Sequence, residues 1–133
     1  MTKPRIPIDE FAKIEVRIGT VRSAERVPET DKLLRLTVDF GLKPSSDEGS
    51  AELPPEADAI GEERDVRQIV SGIAAYVSDP ATLVGRQLAF ATNLEPRNIK
   101  GLVSDGMLFV VGEGDTFAFL TPDRLVPPGT SAH

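Results

Sequence analysis

The sequence predicts an all-β fold, a five-stranded barrel with a short helix between the third and fourth strands and with terminal extensions. Apolar and polar side chains alternate over residues 14–18 and 34–40, with the period of half-buried strands. Three further apolar segments follow, with glycine or proline between successive segments. Because these strands outnumber the one short helical segment, an all-β domain is the expected class.

The composition fits one globular domain over residues 1–133, of which 40% are hydrophobic. The sequence contains no cysteine, which excludes a disulfide scaffold, thiolate catalysis and cysteine-bound zinc. It contains no apolar run of about 18 residues, the length that crosses a bilayer. Residues 1–7 also lack the apolar centre of a secretion signal, so we expect a cytoplasmic protein.

The first strand is predicted from alternation after a short helical turn. Asp9 is a candidate cap for a turn over residues 10–13. The strand over residues 14–18 places isoleucine and valine on one face, with Glu15 and Arg17 on the other. We expect the aliphatic face to be buried and the charged face to be exposed.

The second strand follows a polar loop over residues 22–31. Within residues 34–40 the apolar side chains again occupy alternate positions, so we expect them to face the core. These residues are Leu34, Leu36, Val38 and Phe40.

Residues 42–65 are acidic and poor in large apolar side chains. They carry eight acids and two bases, a net charge of −6 that equals the charge of the whole chain. Such a composition buries too little apolar surface to offset the entropy of ordering, so we expect a mobile loop. A tolerated insertion and a regulatory element are the two alternatives.

The remaining strands are predicted over residues 67–73, 87–94 and 107–111. A short helix over residues 79–84, capped by Ser78, separates the first two of them. This order is that of an OB-fold barrel, which binds oligonucleotides on strands two and three and on the loops after strands one and four.

Both of those loops contain cations. The first loop contains Arg22, Arg26 and Lys32, and the second contains Arg97 and Lys100. The cations are therefore expected where an OB barrel presents its ligand-binding surface.

The second loop, residues 93–107, combines a proline and glycines with basic and polar side chains. Arg97 and Lys100 are candidates to bind phosphates, while Asn93 and Ser104 are candidates to donate hydrogen bonds to phosphate, ribose or base edges. The alternative is a solvated loop whose asparagine and serine hold the turn.

Four more residues complete the set of candidate nucleic-acid contacts. Lys32 and Arg35 flank or lie on the second strand, Ser71 ends the third, and Met107 is placed to pack against a base. The alternatives are solvated cations, a small residue beside a glycine, and a core methionine. Arg17, Arg22 and Arg26 are weaker candidates.

An enzymatic function is poorly supported by the residue types present. The one histidine, His133, is terminal, which leaves a catalytic triad without a well-placed base. Glu113 and Asp115 fit an exposed turn better than a metal site, and the Gly112-x-Gly114 pair lacks the third glycine of a nucleotide-binding loop. We predict no catalytic residue, no metal and no cofactor.

A series of short sequence blocks runs through the chain in order. They are Ile8-Asp9-Glu10-Phe11-Ala12-Lys13, Glu15-Val16-Arg17-Ile18-Gly19, Asp31-Lys32-Leu33-Leu34, Arg67-Gln68-Ile69-Val70-Ser71-Gly72-Ile73, Asn93-Leu94-x-Pro96-Arg97, Gly101, Ser104-x-Gly106-Met107, Leu120-Thr121-Pro122 and Val126-Pro127-Pro128-Gly129. With these blocks the chain resembles the tRNA-binding domain family. That family includes a free-standing bacterial tRNA-binding protein, the C-terminal domain of methionyl-tRNA synthetase and the endothelial monocyte-activating polypeptide domain.

The resemblance implies an OB fold that binds structured tRNA without reading an anticodon. It also implies a homodimer, with terminal segments in the interface, that acts alone or beside an aminoacyl-tRNA synthetase. One branch of the family is a secretion-associated chaperone, so binding of extended polypeptide in the same groove is the alternative function. The Asp31-Lys32-Leu33-Leu34 block favours the tRNA-binding branch.

The acidic residues 42–65 depart from the family pattern, and we expect their charge to repel RNA from the groove. Deleting them should tighten RNA binding at low salt, where charges are least screened, as measured by titration of labelled tRNA. An unchanged affinity would identify the segment as an inert loop.

Overall fold

The computed structural model describes residues 2–43 and 64–133, whose strands curl into a barrel. Its strands are β1 Val16–Arg26, β2 Leu34–Leu42, β3 Arg64–Ser71, β4 Gln87–Ala91, β5 Arg97–Ile99, β6 Leu102–Ser104, β7 Met107–Leu108, β8 Val110–Val111, β9 Ala118–Phe119 and β10 Ser131–Ala132. The helical segments are α1 Ile8–Phe11 and the 3₁₀ helices Ala74–Tyr76, Pro80–Leu83 and Gly114–Thr116. None of the helices in the described part of the chain is long and apolar enough to span a membrane.

The main sheet has the order β3-β2-β1-β4-β7, and β10 pairs with the start of β1. Every pairing along this path is antiparallel. The two edges approach each other where the Asp105 N–H, just before β7, donates to the Gln68 carbonyl of β3 at 2.9 Å. This closure confirms the predicted all-β OB-type barrel, with β7 as its short fifth strand.

The core is built on β2 and β4. The four apolar residues of β2 that the sequence placed inward are at most 1% exposed, as predicted. The Phe40 and Phe90 rings pack edge to face with their centroids 5.3 Å apart. The buried face of β2 therefore matches its hydrophobic pattern.

The predicted orientation of β1 is wrong. Arg17 is only 8% exposed, whereas Val16 and Ile18 are half-buried and Ile14 is exposed. Apolar residues occupy one face of this strand and a charged residue the other, so alternation alone favoured the aliphatic face. Arg17 can face inward because a buried carboxylate, Asp65, neutralises it.

The ends of several strands also differ from prediction. β1 continues to Arg26 because that residue pairs with Leu34, so half of the predicted loop over residues 22–31 is strand. At the acidic segment, Leu42 pairs with Arg64, and both lie in strands rather than in a loop. The rest of the predicted mobile loop, residues 44–63, lies outside the described residues. A deletion designed to preserve both strands would therefore remove residues 44–63 only.

The predicted helix caps are corrected as well. Asp9 lies inside α1, where Pro7 occupies the N-cap position. The helix after β3 is the 3₁₀ helix Pro80–Leu83, and its cap is Asp79, whose carboxylate accepts the Ala81 N–H at 3.1 Å, rather than Ser78.

Gly19 provides a test of the barrel packing. A Cβ atom at this position would stand 2.7 Å from Phe40 Cε1 and would also clash with Val38 Cγ1. Gly19→Ala should therefore lower the free energy of unfolding by about 2 kcal/mol in urea denaturation. At Gly72 the nearest atom would be 3.9 Å away, so Gly72→Ala is the matched control. Equal stabilities of the two variants would contradict this packing.

Candidate nucleic-acid interface

The predicted basic loop is largely a two-stranded hairpin, formed by β5 and β6 and called here the basic hairpin (residues 97–104). Its tip is Lys100-Gly101, with φ values of 53° and 86°, as a tight hairpin turn requires. The Asn98 side-chain oxygen accepts the Gly101 N–H at 2.9 Å. Arg97 and Lys100 are both exposed on this hairpin.

The trailing end of the hairpin is fixed to β3. The Ser104 hydroxyl oxygen accepts the Val70 N–H at 2.9 Å, and the hydroxyl donates to the Gly106 carbonyl at 3.1 Å. The Gln68 side-chain amide donates to the Val103 carbonyl at 2.8 Å. Ser104 is only 3% exposed, so its hydroxyl supports the hairpin and is not presented to a ligand, contrary to the predicted donor role.

The segment before the hairpin is fixed to β1 and to the residues that precede it. The Asn93 side-chain oxygen accepts the Glu15 N–H at 2.8 Å, and its amide nitrogen donates to the Lys13 carbonyl at 2.6 Å. The Thr92 N–H donates to the Glu15 carbonyl at 2.9 Å, and Arg67 Nη1 donates to the Thr92 carbonyl at 2.7 Å. Both ends of the hairpin are therefore held before any ligand binds.

The hairpin tip faces the loop between β1 and β2 across a groove of about 360 Å³. Ile99 and Lys100 form one side of this groove, and Lys32 lies on the other. The carboxylates of Glu29 and Asp31 lie on the same side as Lys32. The fold thus brings together two lysines from the two loops that the sequence predicted to be neighbours.

Two of the predicted arginines form hydrogen bonds with groups outside the groove. Arg35 donates through Nε to Glu25 Oε2 at 3.1 Å, so its charge is compensated on the sheet surface. Arg26 Nη2 donates to the carbonyls of Val77 and Ser78 at 3.0 Å. Neither guanidinium is presented to the groove in the way that Lys32 and Lys100 are.

The other two predicted residues lie at the sheet surface. Ser71 is half-buried at the end of β3, where it pairs with Leu34. Met107 is 39% exposed on β7, which excludes a purely core role for its side chain.

A buried ion-pair cluster, formed by Arg17, Asp65 and Arg67, was missed by sequence reasoning. Arg17 Nη2 and Arg67 Nε lie 3.0 Å and 2.9 Å from the Asp65 carboxylate oxygens. The two guanidinium carbons lie 5.2 Å and 5.4 Å from the Phe40 ring centroid. One available signal was the spacing of Asp65 and Arg67, which places both side chains on one face of a strand.

Opposing effects set the pKa of Asp65. Burial raises the pKa of this carboxyl, whereas hydrogen bonds and charges from Arg67 and Arg17 lower it, and the lowering prevails. Asp65 therefore stays ionised at neutral pH and remains the carboxylate that Arg17 and Arg67 share.

Comparison with known families identifies a match over more than half of the chain. The family described as "Putative tRNA binding domain" matches residues 57–131. The methionine–tRNA ligase of Methanospirillum hungatei is 41% identical over 127 residues, which are 96% of this chain and 15% of the ligase. The ligase of Bacteroides fragilis is 36% identical over 129 residues, which are 96% of this chain and 16% of that ligase. The chain thus spans about one sixth of the length of these curated relatives.

Two solved structures are similar over nearly their whole length. A MetRS related protein from Pyrococcus horikoshii has a TM-score of 0.74 and 29% sequence identity, with 98% of this chain and 100% of that chain covered. The chaperone CsaA from Bacillus anthracis has a TM-score of 0.71 and 25% identity, with the same coverage. Both likenesses extend across the barrel and both loops of the groove.

Removal of the Asp65 carboxylate should destabilise the domain in a pH-dependent way. At neutral pH, Asp65→Asn removes the carboxylate that Arg17 and Arg67 share. Glu15, 3.4 Å from Arg17, and Asp105, 3.9 Å from Arg67, still compensate part of the charge, so the substitution should cost about 2 kcal/mol of unfolding free energy. Because the folded-state pKa is below the ordinary value of 3.8, the stabilisation is complete above that pH and is lost as the pH falls through the folded-state pKa.

Urea unfolding from pH 7 to below pH 4 therefore should show the two proteins converging only at the acidic end. Asp123→Asn is the matched control, because that side chain is 85% exposed. A difference between the wild-type protein and Asp65→Asn that did not change with pH would contradict the role of the ionised carboxylate.

Proposed function

The chain belongs to the tRNA-binding domain family, and from this premise we propose that it binds structured tRNA as a cytoplasmic homodimer without catalysing a reaction. The observation that supports this best is the groove lined by Lys32 from one loop and by Lys100 from the other. The domain acts alone or beside an aminoacyl-tRNA synthetase, in keeping with its similarity to a segment of methionine–tRNA ligases.

Electrostatic attraction would come from local clustering and not from net charge. Outside residues 44–63 the chain has 15 bases and 14 acids, so it is nearly neutral. Within residues 2–43 and 64–133, neither Arg97 nor Lys100 forms an ion pair with an acid. Their charges are therefore available to phosphates, which dominate the affinity of proteins for nucleic acids.

Recognition of folded RNA by shape suits this surface better than stacking on single-stranded bases. The one tyrosine, Tyr76, stacks on Phe117 with the ring centroids 4.1 Å apart, which covers one face of its ring. Met107 is left as an exposed apolar contact near the hairpin. A rigid hairpin with two cations contacts backbone phosphates without needing unpaired bases.

The homodimer is supported by a second groove, of about 510 Å³, called here the apolar groove. Phe11 and Ile14 line it with side chains that are 51% and 44% exposed, beside Leu120 and the C-terminal residues. An exposed apolar patch of this kind marks a protein interface, and a twofold axis through it would let one surface complement itself. Two copies would then engage one tRNA with raised effective concentration.

The second candidate function is a chaperone that binds extended polypeptide. The likeness to the chaperone CsaA and the exposed apolar groove favour it. Such binding would depend on apolar contact and would change little with salt, whereas tRNA binding would weaken as salt increases.

The basic hairpin should carry much of the tRNA affinity. Arg97→Ala with Lys100→Ala should weaken binding by roughly tenfold or more and reduce the slope of log affinity against log salt by about 1 to 2, as two phosphate contacts are lost. The measurement is a titration of labelled, folded tRNA at several salt concentrations. The matched control is Arg86→Ala with Arg124→Ala, two cations beside the C-terminal segment. Equal affinities for the two double variants would contradict the assignment of the hairpin.

The apolar groove should hold the second copy. Phe11→Ser with Ile14→Ser should shift the protein from dimer to monomer in sedimentation velocity, because the apolar area buried at the interface is lost. The tighter tRNA binding that the dimer provides should be lost when the protein becomes a monomer. Val84→Ser is the control, since Val84 is 49% exposed but lies outside this groove. A wild-type protein that sediments as a monomer would refute the dimer.

A further inference from the structure

We propose that Asn93 is a positioning residue that couples the seating of residues 2–14, called here the N-terminal segment, to the basic hairpin. The affinity for tRNA would then depend on how firmly the N-terminal segment is held. This inference rests on the proposed function for its RNA consequence, but its structural part can be tested without RNA.

The side-chain amide of Asn93 makes two hydrogen bonds to the protein backbone. Its oxygen accepts the Glu15 N–H at 2.8 Å and its nitrogen donates to the Lys13 carbonyl at 2.6 Å. A side chain must present one acceptor and one donor to make both bonds, which an amide does and a carboxylate does not. These two bonds give Asn93 a structural role in addition to the donor role that the sequence predicted, because the amide nitrogen has a second N–H and the side chain is exposed.

The N-terminal segment depends on this contact. Its other hydrogen bonds are local, as in the Ala12 N–H to Ile8 carbonyl bond of 2.9 Å. Within residues 2–43 and 64–133, the bond from Asn93 to the Lys13 carbonyl is the one hydrogen bond that joins this segment to the rest of the domain. α1 contains no buried residue, so the packing that supports this bond comes from the half-exposed side chains of Phe11 and Ile14 in the apolar groove.

On the other side, Asn93 is close to the hairpin along the chain. Only Leu94, Glu95 and Pro96 separate it from the first residue of β5. Proline fixes its own φ angle and restricts the residue before it, so this connection is short and stiff. A displacement of Asn93 is therefore transmitted to the hairpin and is not absorbed by a flexible linker.

The N-terminal segment also lines the apolar groove through Phe11 and Ile14. Anything that covers this groove, a second copy in our proposal, holds the segment, and through Asn93 it holds the hairpin. A hairpin already ordered has less conformational entropy to lose when RNA binds. The coupling is reciprocal, so loosening either end should loosen the other.

Hydrogen exchange of the full-length, RNA-free protein tests the coupling. Asn93→Ala should accelerate exchange roughly tenfold at Ala12–Ile14 and across the basic hairpin, with the core amides of β2 and β4 unchanged. The contrast is Asn98→Ala, because Asn98 accepts only from Gly101 within the hairpin. That variant should accelerate exchange in the hairpin alone.

The decisive comparison is a double-mutant cycle. Phe11→Ser, at an exposed position in the N-terminal segment, should accelerate hydrogen exchange of the hairpin in the wild-type background. In the Asn93→Ala background the same substitution should cause no further acceleration of hairpin exchange. No response of the hairpin to Phe11→Ser, or additive responses, would overturn the proposal. Slower or faster exchange throughout the core would indicate a general stability effect and would also overturn it.

A tRNA titration completes the test. Asn93→Ala should weaken tRNA binding by roughly tenfold with an unchanged salt slope, because no charge is removed. Loss of affinity without any change in the exchange of the RNA-free protein would instead identify Asn93 as a direct RNA contact. If the wild-type protein binds no tRNA, the proposed function fails while the exchange result still decides the coupling.

Discussion

The buried carboxylate of Asp65 joins β1 to β3, which are not hydrogen-bonded neighbours in the sheet. It receives Arg17 from β1 and Arg67 from β3, and both guanidinium groups lie over the Phe40 ring. Removing three charged groups from water is costly, so the cluster is tolerable only because every member is paired. Through Arg67, which donates to the Thr92 carbonyl, the same cluster fixes the chain just before the basic hairpin.

The consequence for function is a ligand surface ordered in advance. The hairpin is held at one end by the bond between Ser104 and β3, and at the other by the bonds of Asn93 and Thr92 to Glu15, just before β1. Lys100 at its tip consequently lines the same groove as Lys32. Binding of phosphates to fixed cations avoids much of the ordering cost that a flexible basic loop would incur. This is how a chain with a formal charge of −6 can present a local site for a polyanion.

The sequence was sufficient for the fold class, the family and the two loops that meet at the groove. It was insufficient where local patterns are ambiguous. β1 carries aliphatic residues on one face and Arg17 on the other, so its alternation could not show that the charged face is the buried one. Asp65 looked like part of the acidic segment because its partners are known only from the fold. The bonds from Asn93 to Lys13 and Glu15 span 80 and 78 residues, a separation that leaves no local signature.

Fluorescence anisotropy would measure whether this domain binds structured tRNA electrostatically, as we propose. Labelled, folded tRNA is titrated with the wild-type protein at two salt concentrations, with an unfolded peptide as the parallel ligand. We expect saturable tRNA binding that weakens strongly at the higher salt concentration, with no binding of the peptide. Peptide binding that is insensitive to salt, without any tRNA signal, would contradict the account and identify a chaperone instead.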